Sequence, residues 1–555
     1  MSEEMLTPQQ AADQIEAALL DLFDAQNATL GLPELREAVI LRGRLRRPAE
    51  EALPEIERRL ATLGYRAVLG TLPRSEQALV LAAPRLPTRE QAGQKILRAR
   101  AGSQSGAEAR TVVRAEQEPV FEADPADALQ AALALEQVKD AVADLFAIRD
   151  ARRDIPGQPQ VIHLRGQLTL PSEKAYPQIS GRLRELGYTA SLYRDAESKM
   201  DDLIIAPGLM PQVERSNLKI HAFLFAATVF TTLYAGAGMS EARPPDDLWW
   251  PLFHFWQGWP FALSLLAILL AHELGHYFTG RHYRVPVSLP YFIPLPIPDF
   301  LGNVLGTLGA VITMKARMTD RRAMLDIGAA GPIVGLIVAI PILVLGLLLS
   351  EVQPIAEGQA YVKVNSLLSL PYLISPNPVY LLEGNSLLYL LLKYAVFGLW
   401  LPGNGLDVFI HPVAFAGWAG LLVTSLNLIP AGQLDGGHVL YSLLGNRAQR
   451  FTWPIIIVLV ALGTLVWPGW FVWAGLVFLF GRRHPGPLDN VTPLDARRKI
   501  VAVAVLLVFV LTFSPAPLTV VIPEGTQGDL VRQMVLLAGV WTGFGWLARR
   551  AGHRG

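Results

Sequence analysis

Trp259-Pro260-Phe261-Ala262-Leu263-Ser264-Leu265-Leu266-Ala267-Ile268-Leu269-Leu270-Ala271-His272-Glu273-Leu274-Gly275-His276 is an apolar run that closes on three ionisable side chains. A bilayer-spanning helix needs roughly 20 apolar residues, and this run supplies them. On a helix, positions i and i+4 share a face, so His272 and His276 can offer both imidazoles to one metal ion. Glu273 is then placed to take a proton from a metal-bound water and pass it to a leaving amine. As a bare pattern, His-Glu-x-x-His turns up by accident in unrelated chains. Its setting gives it weight, because ionisable groups inside an apolar helix are costly in lipid and usually mark function. The bland reading is a hydrogen-bonded cluster that packs helices together.

The rest of the chain agrees with a membrane setting. Of 555 residues, 51% are hydrophobic, and the excess is uneven. Residues 1–214 are rich in Arg, Glu and Asp, whereas 219–548 carry repeated apolar runs. Net charge is zero, so nothing at whole-chain level points to nucleic acid. There is no cysteine, which excludes thiolate sites and leaves His, Asp and Glu to hold any metal. Met1-Ser2-Glu3-Glu4-Met5-Leu6 lacks the basic start and apolar stretch of a secretory signal, so the first ~200 residues are expected to stay in the cytoplasm.

Eight spans are expected, at about 219–238, 258–280, 325–350, 411–440, 452–467, 469–480, 499–514 and 531–547. Residues 385–401 are also apolar, but Lys393 at their centre makes an interfacial or re-entrant element the better reading. With the N-terminus inside, Arg281, Arg284, Arg317, Arg321, Arg322, Arg447 and Arg450 all fall on the cytoplasmic side, as the positive-inside rule asks. The expected fold is therefore a polytopic α-helical membrane protein preceded by a soluble region. Its place is a cell membrane, in particular a bacterial inner membrane, with both termini cytoplasmic and the lipid bilayer as a partner.

A third metal ligand has two candidates. His282 lies six residues after His276, the spacing of an elongated soluble motif, but Thr279 stands where that motif has its turning glycine. Asp435 lies in Asn427-Leu428-Ile429-Pro430-Ala431-Gly432-Gln433-Leu434-Asp435-Gly436-Gly437-His438. A carboxylate there would complete a His, His, Asp set with water in the fourth position, the arrangement of a catalytic zinc. Both segments run from outside to inside toward the cytoplasmic face, which allows a common depth.

The His272–His276 motif in one span and Asn427–Gly437 in a later one resemble the site-2 protease family of intramembrane metalloproteases, over roughly residues 219–445. Tyr291 to Pro294, Gly302 to Thr313, Asp320-Arg321 and Gly331-Pro332 further resemble its plant-plastid and cyanobacterial branch. The resemblance implies one zinc per chain on His272, His276 and Asp435, Glu273 as catalytic base, and Asn427 as a residue that helps hold substrate. It implies transmembrane protein substrates cut by regulated intramembrane proteolysis. No PDZ-like insertion is evident in the outside loops. A metal or proton transporter is the alternative class, and a catalytically dead scaffold a third; Glu273 between the histidines argues against both.

The soluble region is duplicated. Residues 41–69 and 164–192 match at an offset of 123 with 16 of 29 positions identical, including Gly43 with Gly166 and Pro48 with Pro171. Each copy reads as an α+β module: a leading helix (8–26 or 125–147), a strand, a helix from Pro48 or Pro171 to Gly64 or Gly187, then short strands. The expected divisions are 1–86, a linker at 87–124, 125–210, and a membrane metalloprotease domain at 215–550 with its core at 255–445. Arg42 and Arg165 would suit an anion or a solvated face. Residues 302–316, rich in Gly and β-branched residues, fit a membrane-dipping hairpin or loop whose edge could pair with extended substrate, the bland alternative being a loop packed over the helices.

Overall fold

The structure is a computed structural model. It describes residues 7–84 and 125–523, apart from 32–36, 76, 156–157, 196, 211–216, 241, 245–246, 248, 297–304, 315, 355–360, 365–379, 404–405 and 482–484. The expected linker and the span at 531–547 lie outside the described residues. The chain divides into two compact units, Met1–Leu209 and Met210–Gly555.

In the first unit the two copies run through the same elements. The first has α1 (Pro8–Leu19), β1 (Phe23–Leu30), β2 (Val39–Leu45), α2 (Ala49–Thr62), β3 (Tyr65–Thr71) and β4 (Ala78–Pro84). The second has α3 (Pro125–Val142), β5 (Phe146–Ile155), β6 (Gln158–Leu168), α4 (Ser172–Glu185), β7 (Tyr188–Arg194) and β8 (Asp201–Pro207). Both sheets are antiparallel, in the orders β1-β2-β4-β3 and β5-β6-β8-β7. The leading helices stop short of the expected 26 and 147. The residues beyond them form β1 and β5, strands that sequence reading missed because β1 is an edge strand, exposed along most of its length and without an apolar alternation.

Small features repeat as well. Arg59 reaches the Ala18 carbonyl at 3.0 Å and the Asp21 carboxylate at 2.6 Å, and Arg182 reaches Ala141 and Asp144 at 2.9 and 2.6 Å. The first sheet buries both faces, Leu41 and Val80 under its own helices and Leu79 and Leu81 under Leu129 and Leu133 of α3. In the second sheet the positions matching Leu79 and Ile40 are Asp202 and His163, which pair at 3.1 Å. A polar face of this kind ends a stack, much as capping repeats do. Arg42 pairs with Asp140 and Arg165 with Asp195, so internal ion pairs occupy both arginines.

The second unit contains α5 (Leu218–Ala237), α6 (Trp259–His282), α7 (Arg321–Leu348), α8 (Leu387–Phe397), α9 (Pro412–Asn427), α10 (Asp435–Leu444), α11 (Thr452–Leu465), α12 (Trp470–Phe480) and α13 (Ala496–Thr512). Four described stretches are long and apolar enough to cross a membrane, 218–237, 255–282, 321–348 and 435–465; 387–397, 412–427 and 470–479 are shorter apolar helices. Four such stretches among the described residues fit a membrane protein; they do not confirm the expected eight spans.

The expected span 411–440 is not one helix. Leu428 caps α9 by donating to the Thr424 carbonyl, and the chain turns through Pro430 before α10 begins at Asp435. Both halves descend antiparallel to α7: Gly417 lies against Leu343, and lower down Gly328 faces His438 and Asp435. Irregular backbone at membrane depth is tolerated where protein buries it, which is the case here. Lys393 on α8 is fully buried, its Nζ 3.7 Å from Glu383, 3.5 Å from Asp407 and 4.5 Å from the centre of the Tyr389 ring. Two carboxylates and an aromatic face therefore meet the charge that the sequence reading assigned to the interface.

Candidate metal centre

Two helices bring the expected ligands together. Helix α6 presents His272 and His276 one turn apart, and both are buried, as is Glu273. The break between α9 and α10 presents Asp435 as the first residue of its helix. The paired glycines after it allow this: a Cβ on Gly436 would meet the Ile429 carbonyl at 2.8 Å, and one on Gly437 the Ala431 carbonyl at 2.7 Å.

The geometry is that of a ligand triad. His276 Nε2 is 3.1 Å from His272 Nε2, and the Asp435 carboxylate is 3.3 Å from His272 and 3.2 Å from His276. A tetrahedral ion with bonds of about 2.0 Å separates its ligand atoms by roughly 3.3 Å, so this triangle fits such an ion. The fit also explains the contact between two imidazole nitrogens and a carboxylate, which otherwise has one proton to share among acceptors. His276 Nδ1 lies 2.7 Å from the Ile327 carbonyl of α7, so Nδ1 donates and Nε2 is left free to ligate. Asn427, the last residue of α9, places its amide nitrogen 3.3 Å from His272 Nε2. His282 at the end of α6 is outside the triad.

Helix α7 forms the wall. Gly331 leaves no room for a side chain, since a Cβ there would stand 2.6 Å from His276 Cε1 and nearer still to Nε2. Gly335, one turn on, lies against His272. Glycine inside a helix costs about 1 kcal/mol relative to alanine, and a row at helical spacing signals close approach of another element. That signal was present in Gly328-x-x-Gly331-x-x-x-Gly335, and the sequence reading did not use it.

A two-stranded antiparallel sheet adjoins the site. β9 (Tyr291–Pro294) pairs with β10 (Thr307–Val311), Phe292 opposite Ala310. The expected hairpin within 302–316 is thus one strand of a sheet whose partner lies upstream, in the proline-containing segment. Just past β10, the Ile312 backbone amide lies near the Glu273 carboxylate.

Residues 260–465 match peptidase family M50. Among curated relatives, the chain is 34% identical to a probable chloroplastic zinc metalloprotease, EGY1, of Arabidopsis thaliana over 279 residues, covering 50% of this chain and 46% of that protein. It is 27% identical over 261 residues to EGY2 of the same plant (47% and 42% covered) and 25% identical over 378 residues to EGY3 of Oryza sativa subsp. indica (63% and 59% covered). The chain thus spans about half the length of the curated relatives it matches. No solved structure matches it. These relatives are named as chloroplastic, which gives no support to the expected bacterial membrane. Residues 260–465 thus carry a match to peptidase family M50, and over about half its length the chain is similar to plant chloroplastic zinc metalloproteases, a likeness that supports the site-2 protease family in its plant-plastid branch.

Proposed function

We propose that this protein is a zinc metalloprotease that hydrolyses peptide bonds in or near the transmembrane segments of membrane proteins. The observation that carries the reading is the convergence of His272, His276 and Asp435 within 3.3 Å of one another, with Glu273 buried beside them on the same helix. Two neutral imidazoles and a carboxylate suit zinc, and the zinc named in the relatives agrees. When bound, the metal polarises a carbonyl and lowers the pKa of water to about 7.

The chain's own groups do the rest. Ile327 fixes the tautomer of His276, and the Asp435 carboxylate offsets charge held among the ligands. Glu273 receives the proton of the attacking water and delivers it to the departing amide nitrogen. Asn427, beside His272, offers a hydrogen-bond donor for a substrate carbonyl. A transmembrane helix hides its peptide bonds in its own hydrogen bonds and must unwind before attack. The edge of β10 away from β9, unpaired with another strand among the described residues, supplies backbone partners for such an extended segment.

The basic residues Arg281, Arg284, Arg317, Arg321 and Arg322 flank the ends of α6 and α7 nearest the site, which supports a site toward the cytosolic or equivalent face. The transporter alternative is not favoured, because transport requires no acid at Glu273. The test is cleavage of a single-span substrate in proteoliposomes by the wild type and Glu273→Gln, with metal content measured in both. Cleavage by the wild type alone, at equal metal content, is expected. Equal cleavage by both would overturn the role of Glu273, and metal-dependent ion flux without cleavage would overturn the protease reading.

A further inference from the structure

Asp435 sits on a helix of 10 residues whose first residue it is, with no side-chain cap at the preceding Leu434. A helix of ~15 Å joined to α9 through an irregular turn has little intrinsic rigidity. A metal ligand must nevertheless be held within about 0.2 Å. Something outside α10 must set its position.

The far end of α10 shows what does. The last four carbonyls of a helix have no partner within it. In α10, the Gly445 amide takes that of Tyr441, and one side chain takes the next two. Arg321 donates through Nε and Nη2 to the Ser442 carbonyl at 3.0 and 2.6 Å, and through Nη2 to the Leu443 carbonyl at 3.0 Å. The cation lies at the negative end of the helix dipole while Asp435 lies at the positive end, so both charges favour the helix between them.

Arg321 is itself well anchored. It is the first residue of α7, which Asp320 caps by accepting from the Ala323 amide at 2.7 Å. The approach to the cap is tied by Leu488 N–H to the Met318 carbonyl and Asp489 N–H to the Thr319 carbonyl, at 2.9 and 2.8 Å. Six residues along the same helix, about 9 Å, Ile327 orients His276. One rigid element therefore grips both halves of the triad: His276 directly, and Asp435 through the end of its helix.

We propose that Arg321 is a positioning residue for the metal centre, holding α10 in the register that brings Asp435 to His272 and His276. This rests on the metal reading above and adds to it the element that sets ligand geometry. Without the guanidinium, the Ser442 and Leu443 carbonyls lose their partner, the last turn of α10 loosens, and Asp435 moves along α7. Lysine is a poorer substitute, because it lacks the second nitrogen of the planar fork, here Nε on the Ser442 carbonyl.

The test compares wild type, Arg321→Ala, Arg321→Met and Arg322→Ala as purified full-length protein in detergent. Zinc affinity is read by chelator competition, and ligand geometry by the visible absorption of the Co2+-substituted protein. Arg321→Ala and Arg321→Met are expected to bind zinc 10–100-fold more weakly, the range for loss of groups that orient metal ligands, with shifted Co2+ bands. Arg322→Ala, which removes the same charge without touching α10, is expected to match wild type. The methionine keeps the packing of the arginine stem, so it decides the matter if the alanine variant elutes as aggregate. Wild-type affinity and an unchanged Co2+ spectrum in folded Arg321→Met would overturn the proposal. Equal weakening in Arg322→Ala would also overturn it, by showing a general charge effect. A wild type without metal would sink the metalloprotease reading itself, and this one with it.

Discussion

Gly331→Ala tests whether α7 forms the wall of a metal site. The added Cβ would stand 2.6 Å from His276 Cε1, whereas ordinary contact begins near 3.4 Å, so something must move by at least about 0.8 Å. The Cβ is part of the α7 backbone and cannot rotate away. The imidazole cannot leave freely either, because Nδ1 is held at 2.7 Å by the Ile327 carbonyl of the same helix. A ligand displaced by this much is outside the ~0.2 Å tolerance of a coordination bond. The site then keeps two ligands of three, and affinity should fall at least ~100-fold, about 2.7 kcal/mol. Overpacking adds about 1–3 kcal/mol of destabilisation in the apo protein. Zinc affinity by chelator competition and melting of the apo form separate the two effects. Gly475→Ala, where a Cβ meets nothing within 4 Å, is the control and should leave both unchanged. Wild-type affinity in folded Gly331→Ala would refute the packing of α7 on His276.

Further outcomes are expected elsewhere in the chain. Lys393→Met leaves Glu383 and the half-buried Asp407 without their cation, and truncating one partner of a buried ion pair costs about 3–5 kcal/mol, readable as a lower melting temperature of the membrane unit. Gly166→Ala places a Cβ 2.9 Å from the Phe146 ring and the Ala147 carbonyl carbon; it and the matching Gly43→Ala should each destabilise the first unit by about 1–3 kcal/mol. Hydrogen bonds from Arg58 and then Arg59 hold the Glu55 carboxyl down at about 2, below its ordinary 4.5. A depressed acid contributes stability that is present above its unfolded pKa and lost as pH falls through the folded one. Melting of the first unit should therefore drop between pH 4.5 and 2, and Arg59→Gln should flatten that drop. An unchanged profile in the variant would remove Arg59 from the account.

The candidate metal ligands were legible in the sequence because their types and spacing are themselves the chemistry. Two histidines four apart on a helix and a carboxylate followed by glycines have few other uses inside a membrane protein. The repeat was legible because identity at a fixed offset needs no structural knowledge. What stayed hidden depends on contacts distant in sequence. Strands β1 and β5 are polar edges whose pairing, not composition, makes them strands. The break before Asp435 lay hidden inside one expected span, 411–440, because Pro430 alone does not show that α9 ends at Asn427. Lys393 looked interfacial because Glu383 and Asp407, ten and fourteen residues away, give no local sign that they converge on it. Arg321 looked like one more basic residue on the cytoplasmic side, and only its contact with α10, 121 residues on, shows another use.

The central claim is that His272, His276 and Asp435 hold one zinc ion. X-ray absorption at the zinc edge, with metal content, tests it on purified wild type and Asp435→Ala. The account predicts one zinc per chain in the wild type, with two imidazoles and oxygen at about 2.0 Å, and a lost or altered shell in the variant. A wild type without zinc, or the same shell in both proteins, would contradict it.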